Sequence, residues 1–231
     1  MKDGFLKVAA ATPKVRVADC DYNASRIISM AEEASENGTA LIVFPELCIT
    51  AYTCGDLFLQ DTLLKGAENA LSRILKASSY HSVVMVVGLP FRFKGALYNT
   101  AAFVHKGKLL GLVPKINIPN YSEFYEARHF TSGKGIKPIN VKFCGEQTVF
   151  GENLLFKCVN FPELVIGCEI CEDLWVTCPP SVTLASGGAT VIVHPSASDE
   201  TIGKAEYRKQ LISSHSARVL CGYIYADAGM A

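Results

Sequence analysis

Short apolar runs alternate with helical periodicities in the first 90 residues. The runs at 5–11, 40–44 and 83–88 each predict a strand, and the second of them is apolar throughout. A helix between the first two runs is predicted by apolar residues at helical spacing, namely Ala24, Ile27, Ile28, Ala31 and Ala34. A second helix is predicted over 57–79. This strand and helix order indicates an α/β protein.

The pattern changes after residue 95. Two apolar runs flank Lys106-Gly107 and predict a β-hairpin, and the stretch 150–170 predicts another strand pair. A strand at 189–195, a helix at 201–219 and a final strand at 220–226 follow. Because helices do not alternate with strands throughout, one doubly wound sheet fits poorly. We predict two sheets that are covered by helices on their outer faces.

Composition narrows the function classes. The chain has 231 residues, of which 49% are hydrophobic and 19% charged, so a large core can be buried. The 22 basic and 22 acidic residues balance, which argues against nucleic acid as a partner. No apolar run has the roughly 18 residues of a membrane span. Nine cysteines without a secretory leader predict free thiols in a reducing, cytoplasmic setting.

Four predicted strands end in residues that can carry chemistry. Glu46, Lys115, Cys171 and His194 each lie close after or at the end of an apolar run. Functional residues of α/β proteins tend to lie just past the carboxyl ends of strands. A carboxylate can accept a thiol proton, a thiolate can attack a carbonyl, and an ammonium can stabilise the resulting oxyanion. The combination predicts a catalytic site in which a thiol attacks a carbonyl.

Each of these residues also has an ordinary explanation. A glutamate or lysine after a strand is commonly a solvated loop residue. Cys171 fits a small core residue, the usual role of a free cysteine, and His194 fits a packed or hydrogen-bonded histidine. Only their occurrence together favours catalysis.

Two other motifs give weaker evidence of function. Cys168 and Cys171 form a CxxC pair, but a zinc site needs two further ligands and Cys178 gives no standard spacing. A redox pair should open a helix, whereas Cys168 is predicted inside a strand. The sequence ASGGAT at 185–190 begins like an ATP-pyrophosphatase loop but lacks its Asp and Ser, so we interpret it as a turn. We expect no metal site.

The segments FPELCITAYTCGDLF, LVPKINIPNYSEFYEARHF, CEICEDLWVTCPPS and HPSASDETIGKAEYR resemble the nitrilase, or carbon–nitrogen hydrolase, superfamily. Within it they are most similar to the N-terminal glutaminase domains of glutamine-dependent NAD synthetases. The resemblance runs from Phe5 to the last predicted strand. It implies a four-layer αββα sandwich and amide hydrolysis through a cysteine thioester.

The resemblance also implies roles for single residues. Glu46 matches the general base, Lys115 the oxyanion-stabilising lysine and Cys171 the nucleophile. Glu123 matches a second glutamate that orients the lysine, and the amide of Glu172 completes the oxyanion hole. We further expect the ammonium to lower the thiol pKa.

A second group of residues falls where this branch grips glutamine. Tyr52 is expected to line the pocket or the ammonia exit. Trp175 and Phe124 are expected to exclude bulk water. The group comprises Tyr121, Phe124, Glu172, Ser198 and Lys204.

Residues 1–231 match a single carbon–nitrogen hydrolase domain that needs no cofactor. The family continues with more sandwich strands and a synthetase domain that would bind ATP, Mg and deamido-NAD, and neither follows in this chain. We therefore expect this chain to be part of a longer protein. We also expect that protein to be a homo-oligomer.

Three functions remain open at this point. The first is a glutaminase that supplies ammonia for NAD synthesis. The second is a stand-alone hydrolase of another small amide or a nitrile. The third is a catalytically silent scaffold.

Overall fold

The computed structural model describes residues 4–229, which form eleven strands and four α-helices. The strands are β1 Val8–Ala10, β2 Leu41–Val43, β3 Val84–Phe93, β4 Ala96–His105, β5 Lys108–Pro114, β6 Ile139–Phe143, β7 Glu146–Phe150, β8 Phe156–Lys157, β9 Val165–Cys168, β10 Val191–Pro195 and β11 Gly222–Ala226. The helices are α1 Cys20–Glu36, α2 Asp61–Ser78, α3 Pro180–Ser186 and α4 Lys204–Val219. None of the helices within residues 4–229 has the length and apolar character to cross a membrane.

The strands form two sheets. The first has seven strands in the order β1-β2-β3-β4-β5-β7-β6, and the second has four in the order β11-β10-β9-β8. Strands β1 to β3 are parallel, and β3, β4 and β5 continue as antiparallel hairpins. In the second sheet β9, β10 and β11 are parallel, and β8 is antiparallel to β9.

Alternating side chains divide the interior into three cores. Ile42 of β2 faces α1 and α2, whereas its neighbours Leu41 and Val43 face the second sheet. In β10, Val193 packs between the sheets and Ile192 packs under α3. Successive strand residues point to opposite faces, so both sheets are covered on both sides. The predicted four-layer αββα sandwich is confirmed.

Most predicted elements lie within a few residues of their predicted bounds, and the largest differences have local causes. Helix α2 begins at Asp61 rather than 57, because residues 52–59 form a kinked 3-10 segment in which Gly55 has a φ of 53°. The hairpin of β6 and β7 and the short helix α3 were not predicted. Strand β6 has only five residues, and Val141 is its one buried residue.

The strand ends bring the predicted chemistry to one edge of the sandwich. The Glu46 turn after β2 meets the end of β10, where the Glu46 N–H donates to the Ser196 carbonyl at 3.3 Å. Strand β5 ends one residue before Lys115, and β9 ends three residues before Cys171. Residues from both sheets therefore reach the same site.

Candidate active site

Glu46 is 1% exposed, and three hydrogen bonds hold its side chain. Its Oε1 accepts from Lys115 Nζ at 2.7 Å and from Asn99 Nδ2 at 2.6 Å, and its Oε2 accepts from the Ala197 N–H at 3.1 Å. Burial raises the pKa of Glu46, and Lys115 opposes that rise. A buried carboxylate with a raised pKa is a suitable proton acceptor.

A glycine lets the Glu46 turn approach the first sheet. A Cβ on Gly88 would lie 2.2 Å from the Leu47 nitrogen and 2.7 Å from the Pro45 carbonyl oxygen. Backbone atoms cannot move aside as the end of a flexible side chain can. The position of Glu46 therefore depends on the missing side chain of Gly88.

Lys115 is fully buried at the end of β5. Its backbone N–H donates to the Asn99 carbonyl at 2.8 Å, so Asn99 contacts both Lys115 and Glu46. Burial alone would lower the pKa of Lys115, but Glu46, Cys171 and Glu126 together raise it, so the ammonium is retained. An ammonium has three N–H groups. Contacts within residues 4–229 use two of them, so the third could donate to a bound ligand.

The second carboxylate on Lys115 is Glu126, which corrects the prediction of Glu123. Glu126 Oε1 accepts from Lys115 Nζ at 2.6 Å and from the Tyr52 hydroxyl at 2.6 Å. Glu123 is exposed and lies against Asp199 instead. The reason is a 3-10 turn over Glu126–Arg128, anchored by a hydrogen bond from the Glu126 N–H to the Pro119 carbonyl at 3.1 Å, in which Glu126 is buried.

Cys171 follows β9 at the first position of a 3-10 turn and is 5% exposed. Its φ of 47° lies in the left-handed region, which costs a residue with a Cβ about 1–3 kcal/mol and requires support from its surroundings. Lys115 lowers the pKa of the Cys171 thiol as predicted, but other effects outweigh it. Burial and the Glu46 charge raise the pKa of the Cys171 thiol, and Lys115 offsets only part of the rise.

His194 does not join this group. Its ring stacks on Tyr225 at 4.7 Å between centroids, and its Nδ1 lies 2.7 Å from the Tyr223 hydroxyl. The same nitrogen lies 3.6 Å from a carboxylate oxygen of the buried Glu169. The packed, hydrogen-bonded interpretation of His194 fits these contacts.

The partly exposed residues beside Cys171 form a polar and aromatic cluster. The Tyr121 hydroxyl donates to Glu172 at 2.9 Å, and Phe124 packs edge-on against Tyr121 at 5.8 Å. The Lys204 ammonium lies 5.1 Å from the Trp175 ring centroid. The structure thus brings together most of the residues predicted to grip a substrate.

Ser198 and Lys204 are tied to nearby carboxylates. The Ser198 N–H donates to Asp227 at 2.9 Å, and the Lys204 ammonium contacts Asp199. Burial alone would raise the pKa of Asp199, but Lys204 holds it below its usual value. Asp199 was not predicted as part of the site. Its signal in the sequence was only its proximity to Ser198.

Tyr52 lies between Phe124 of this cluster and Glu126 of the Lys115 group, and it contacts both. Its ring meets Phe124 at 6.5 Å, and its hydroxyl donates to Glu126. Burial raises the pKa of Tyr52, so the hydroxyl stays protonated and acts as a donor. A cavity of about 180 Å³ lies beside Tyr52 and Glu126 and is also lined by Phe58 and His129.

Comparison with known proteins agrees with this fold and geometry. The carbon-nitrogen hydrolase family profile matches residues 7–228. The chain belongs to the carbon–nitrogen hydrolase family.

The similar proteins are much longer than this chain. It is 43% identical over 226 residues to a glutamine-dependent NAD(+) synthetase of Mycobacterium tuberculosis, covering 98% of the chain and 33% of that relative. It is 31% identical over 223 residues to the glutamine-dependent NAD(+) synthetase of Aquifex aeolicus, covering 96% of the chain and 35% of that relative. The chain therefore spans about a third of the length of these curated relatives.

The similarity extends to solved structures. A glutamine-dependent NAD(+) synthetase from Cytophaga hutchinsonii superposes with a TM-score of 0.84 at 30% identity, covering 96% of this chain and 36% of that one. An amidase from Nesterenkonia sp. superposes with a TM-score of 0.74 at 18% identity, covering 99% of this chain and 78% of that one. The second likeness concerns the fold alone.

Proposed function

We propose that the chain is a glutamine amidohydrolase that releases ammonia through a thioester on Cys171. The observation that supports this most is the buried Lys115 ammonium, which is held between Glu46 and Glu126. The Cys171 thiol is near enough for the Lys115 charge to lower its pKa. A carbon–nitrogen hydrolase needs a nucleophile, a base and a charge that stabilises an oxyanion. These residues supply all three.

The reaction begins with a protonated thiol. As Cys171 Sγ attacks the amide carbon, Glu46 accepts the thiol proton, and the carbonyl oxygen becomes an oxyanion. The third N–H of Lys115 and the backbone amide of Glu172 stabilise that oxyanion. Glu46 then returns the proton to the departing nitrogen, the C–N bond breaks, and ammonia leaves a thioester behind.

Hydrolysis of the thioester uses the same base. Glu46 accepts a proton from water as the water oxygen attacks the thioester carbon, and Lys115 again stabilises the oxyanion. The C–S bond breaks, the Cys171 sulfur recovers the proton from Glu46, and glutamate leaves. Glu46 and Cys171 end each cycle in their starting protonation states, so no cofactor is required in this domain.

The charged cluster beside Cys171 supports an α-amino acid as the substrate. Glu172 and Asp199 are suited to an α-ammonium group, and Lys204 is suited to an α-carboxylate. Tyr121 and Phe124 provide flat apolar surfaces for the side-chain methylenes. A simple amide or nitrile would leave these charges unused, which favours glutamine over the substrates of a stand-alone amidase.

The relatives named above are glutamine-dependent NAD(+) synthetases, and this supports a use for the ammonia. We propose that it amidates deamido-NAD at an ATP- and Mg-dependent synthetase domain of a longer protein. Released ammonia protonates in bulk water, so delivery to a second site would conserve it. The free thiols of the chain fit a cytoplasmic setting.

Glutamate and ammonia release tests this proposal. The parent chain should hydrolyse glutamine with a kcat/KM well above that for propionamide. Cys171→Ala should abolish release with little change in melting temperature. Cys178→Ala is the matched control, because Cys178 is exposed, and it should behave like the parent. Substantial hydrolysis by Cys171→Ala, or a preference for propionamide, would contradict the proposal.

A further inference from the structure

Asp173 is a fully buried carboxylate that the reaction described above does not use. Its Oδ2 accepts from the Ile170 N–H at 2.9 Å, and its Oδ1 accepts from the Asn117 N–H at 2.7 Å and from Asn117 Nδ2 at 2.9 Å. A further N–H, that of Ile116, lies 3.4 Å from Oδ2. Every one of these donors is neutral, and most belong to the backbone.

The donors come from both sheets of the sandwich. Ile170 directly precedes Cys171 and follows β9 of the second sheet, whereas Ile116 and Asn117 directly follow Lys115 at the end of β5 in the first sheet. One carboxylate therefore connects the turn that carries the thiol to the strand end that carries the ammonium. Backbone hydrogen bonds within each sheet do not make that connection.

The Cys171 turn needs such a connection. Cys171 has a left-handed φ of 47°, and a residue with a Cβ persists there only when its surroundings fix it. The Asp173 backbone N–H also donates to the Ile170 carbonyl at 3.0 Å, so main chain and side chain of Asp173 both bind Ile170. Displacement of a reacting group by about 1 Å can lower a rate by about 100-fold.

Resting on the function proposed above, we infer that Asp173 is a positioning residue that fixes the Cys171 sulfur relative to the Lys115 ammonium by binding the backbone on both sides. It touches neither the substrate nor the reacting atoms. A purely structural carboxylate would affect stability, whereas Asp173 should affect the chemical step and leave substrate binding unchanged.

The burial of Asp173 gives the same inference a chemical basis. Burial raises the pKa of Asp173 to about 6, and the N–H groups of Ile170 and Asn117 offset part of that effect. The titratable groups that share its surroundings are Glu169, Cys168 and Tyr223. A carboxylate kept in such a place without a cation costs folding free energy, which is expected of a group retained for position rather than stability.

Asp173→Asn tests the inference, because it keeps the size of the side chain and replaces one acceptor by a donor. We expect kcat for glutamine to fall by about 100-fold, as for a displaced reacting group, with KM within threefold of the parent. Alkylation of Cys171 by chloroacetamide, followed by peptide mass mapping, should slow by at least tenfold. Asp61→Asn is the matched control, since Asp61 is exposed and pairs with Arg92; it should match the parent in every measurement.

Several results would overturn the inference. The inference fails if folded Asp173→Asn keeps a kcat within threefold of the parent. It also fails if Cys171 in that variant is alkylated at the parental rate, or if the variant changes KM alone. If Asp173→Asn does not fold, Asn117→Ala decides. It removes one hydrogen bond to the carboxylate and should lower kcat by about tenfold, with a fall in melting temperature of about 1–6 °C, and a parental kcat refutes the inference. A parent without glutaminase activity would refute the proposed function instead, and the alkylation rates would still test Asp173.

Discussion

Removal of the Lys115 charge should destabilise the chain as well as inactivate it. Lys115→Met keeps most of the side-chain volume but leaves Glu46 and Glu126 buried without their ammonium, which each now contacts within 2.7 Å. Breaking a buried ion pair by removing one partner costs about 3–5 kcal/mol. For a domain of this size each kcal/mol corresponds to about 2–4 °C in melting temperature, so the expected fall is about 6–20 °C.

The stability loss of Lys115→Met should depend on pH. Burial already raises the pKa of Glu46, and loss of Lys115 removes the charge that opposes this rise. The folded variant then binds a proton more tightly than the unfolded chain does. Its stability is lowest above the folded pKa and increases as the pH falls toward the ordinary glutamate value. The melting temperature of Lys115→Met relative to the parent should therefore be lowest near pH 8 and recover toward pH 5.

Calorimetric melts at several pH values measure this effect. Lys65→Met is the control, since Lys65 is exposed on α2 and its loss strands no buried charge. A triple variant that combines Lys115→Met with Glu46→Gln and Glu126→Gln removes all three charges and should recover at least half of the lost stability. A Lys115→Met melting temperature within about 2 °C of the parent at pH 8, less than 1 kcal/mol, would refute the ion-pair argument.

Three further predictions follow from the site. A glutamine-like diazo ketone should alkylate Cys171 before Cys168, since Cys171 has a base and an ammonium beside it and Cys168 packs between the sheets; mass mapping that found Cys168 labelled first would contradict this. Glu126→Gln should lower kcat by about 100-fold, as expected for an electrostatic residue of the site, whereas Glu123→Gln should stay within threefold in the same glutaminase assay. Gly88→Ala should displace the Glu46 turn and lower both melting temperature and kcat, and an unchanged kcat would show that the turn can relax.

The sequence predicted the part of the site that follows shortly after strand ends. Glu46, Lys115 and Cys171 follow apolar runs, and parallel or neighbouring strands place their ends at the same edge of a sheet. The αββα arrangement was predictable for a related reason, since helices failed to alternate with strands in the middle of the chain. The apolar pattern of a strand involves only a few neighbouring residues, so it can be recognised in the sequence.

The loop after Lys115 was not predictable in this way. Glu123 and Glu126 lie three residues apart in a segment without periodicity, and both are plausible partners for a lysine. The choice depends on a 3-10 turn and on a hydrogen bond to the Pro119 carbonyl, neither of which has a sequence signature of its own. Tyr52, which lies 74 residues away, completes the environment of Glu126.

The protonation state of Cys171 was beyond the sequence for a different reason. Counting charges suggests that a nearby lysine favours a thiolate, but burial enters the pKa as strongly as charge does. A resting thiolate would place three negative groups, Cys171, Glu46 and Glu126, around the single ammonium of Lys115 in a site that excludes water. The raised thiol pKa avoids that state.

In the reaction proposed above, a protonated resting thiol changes when charge develops on the sulfur. Negative charge on the sulfur need arise only as the bond to the carbonyl carbon forms, and it then passes at once to the carbonyl oxygen. The proton moves to Glu46, whose own pKa is raised by the same burial, so the proton affinities of donor and acceptor are both shifted upward. Lys115 acts on the oxyanion rather than on a standing thiolate. Its two carboxylates keep it charged, and in the proposed reaction its remaining N–H would donate to the oxyanion, which is electrostatic preorganisation.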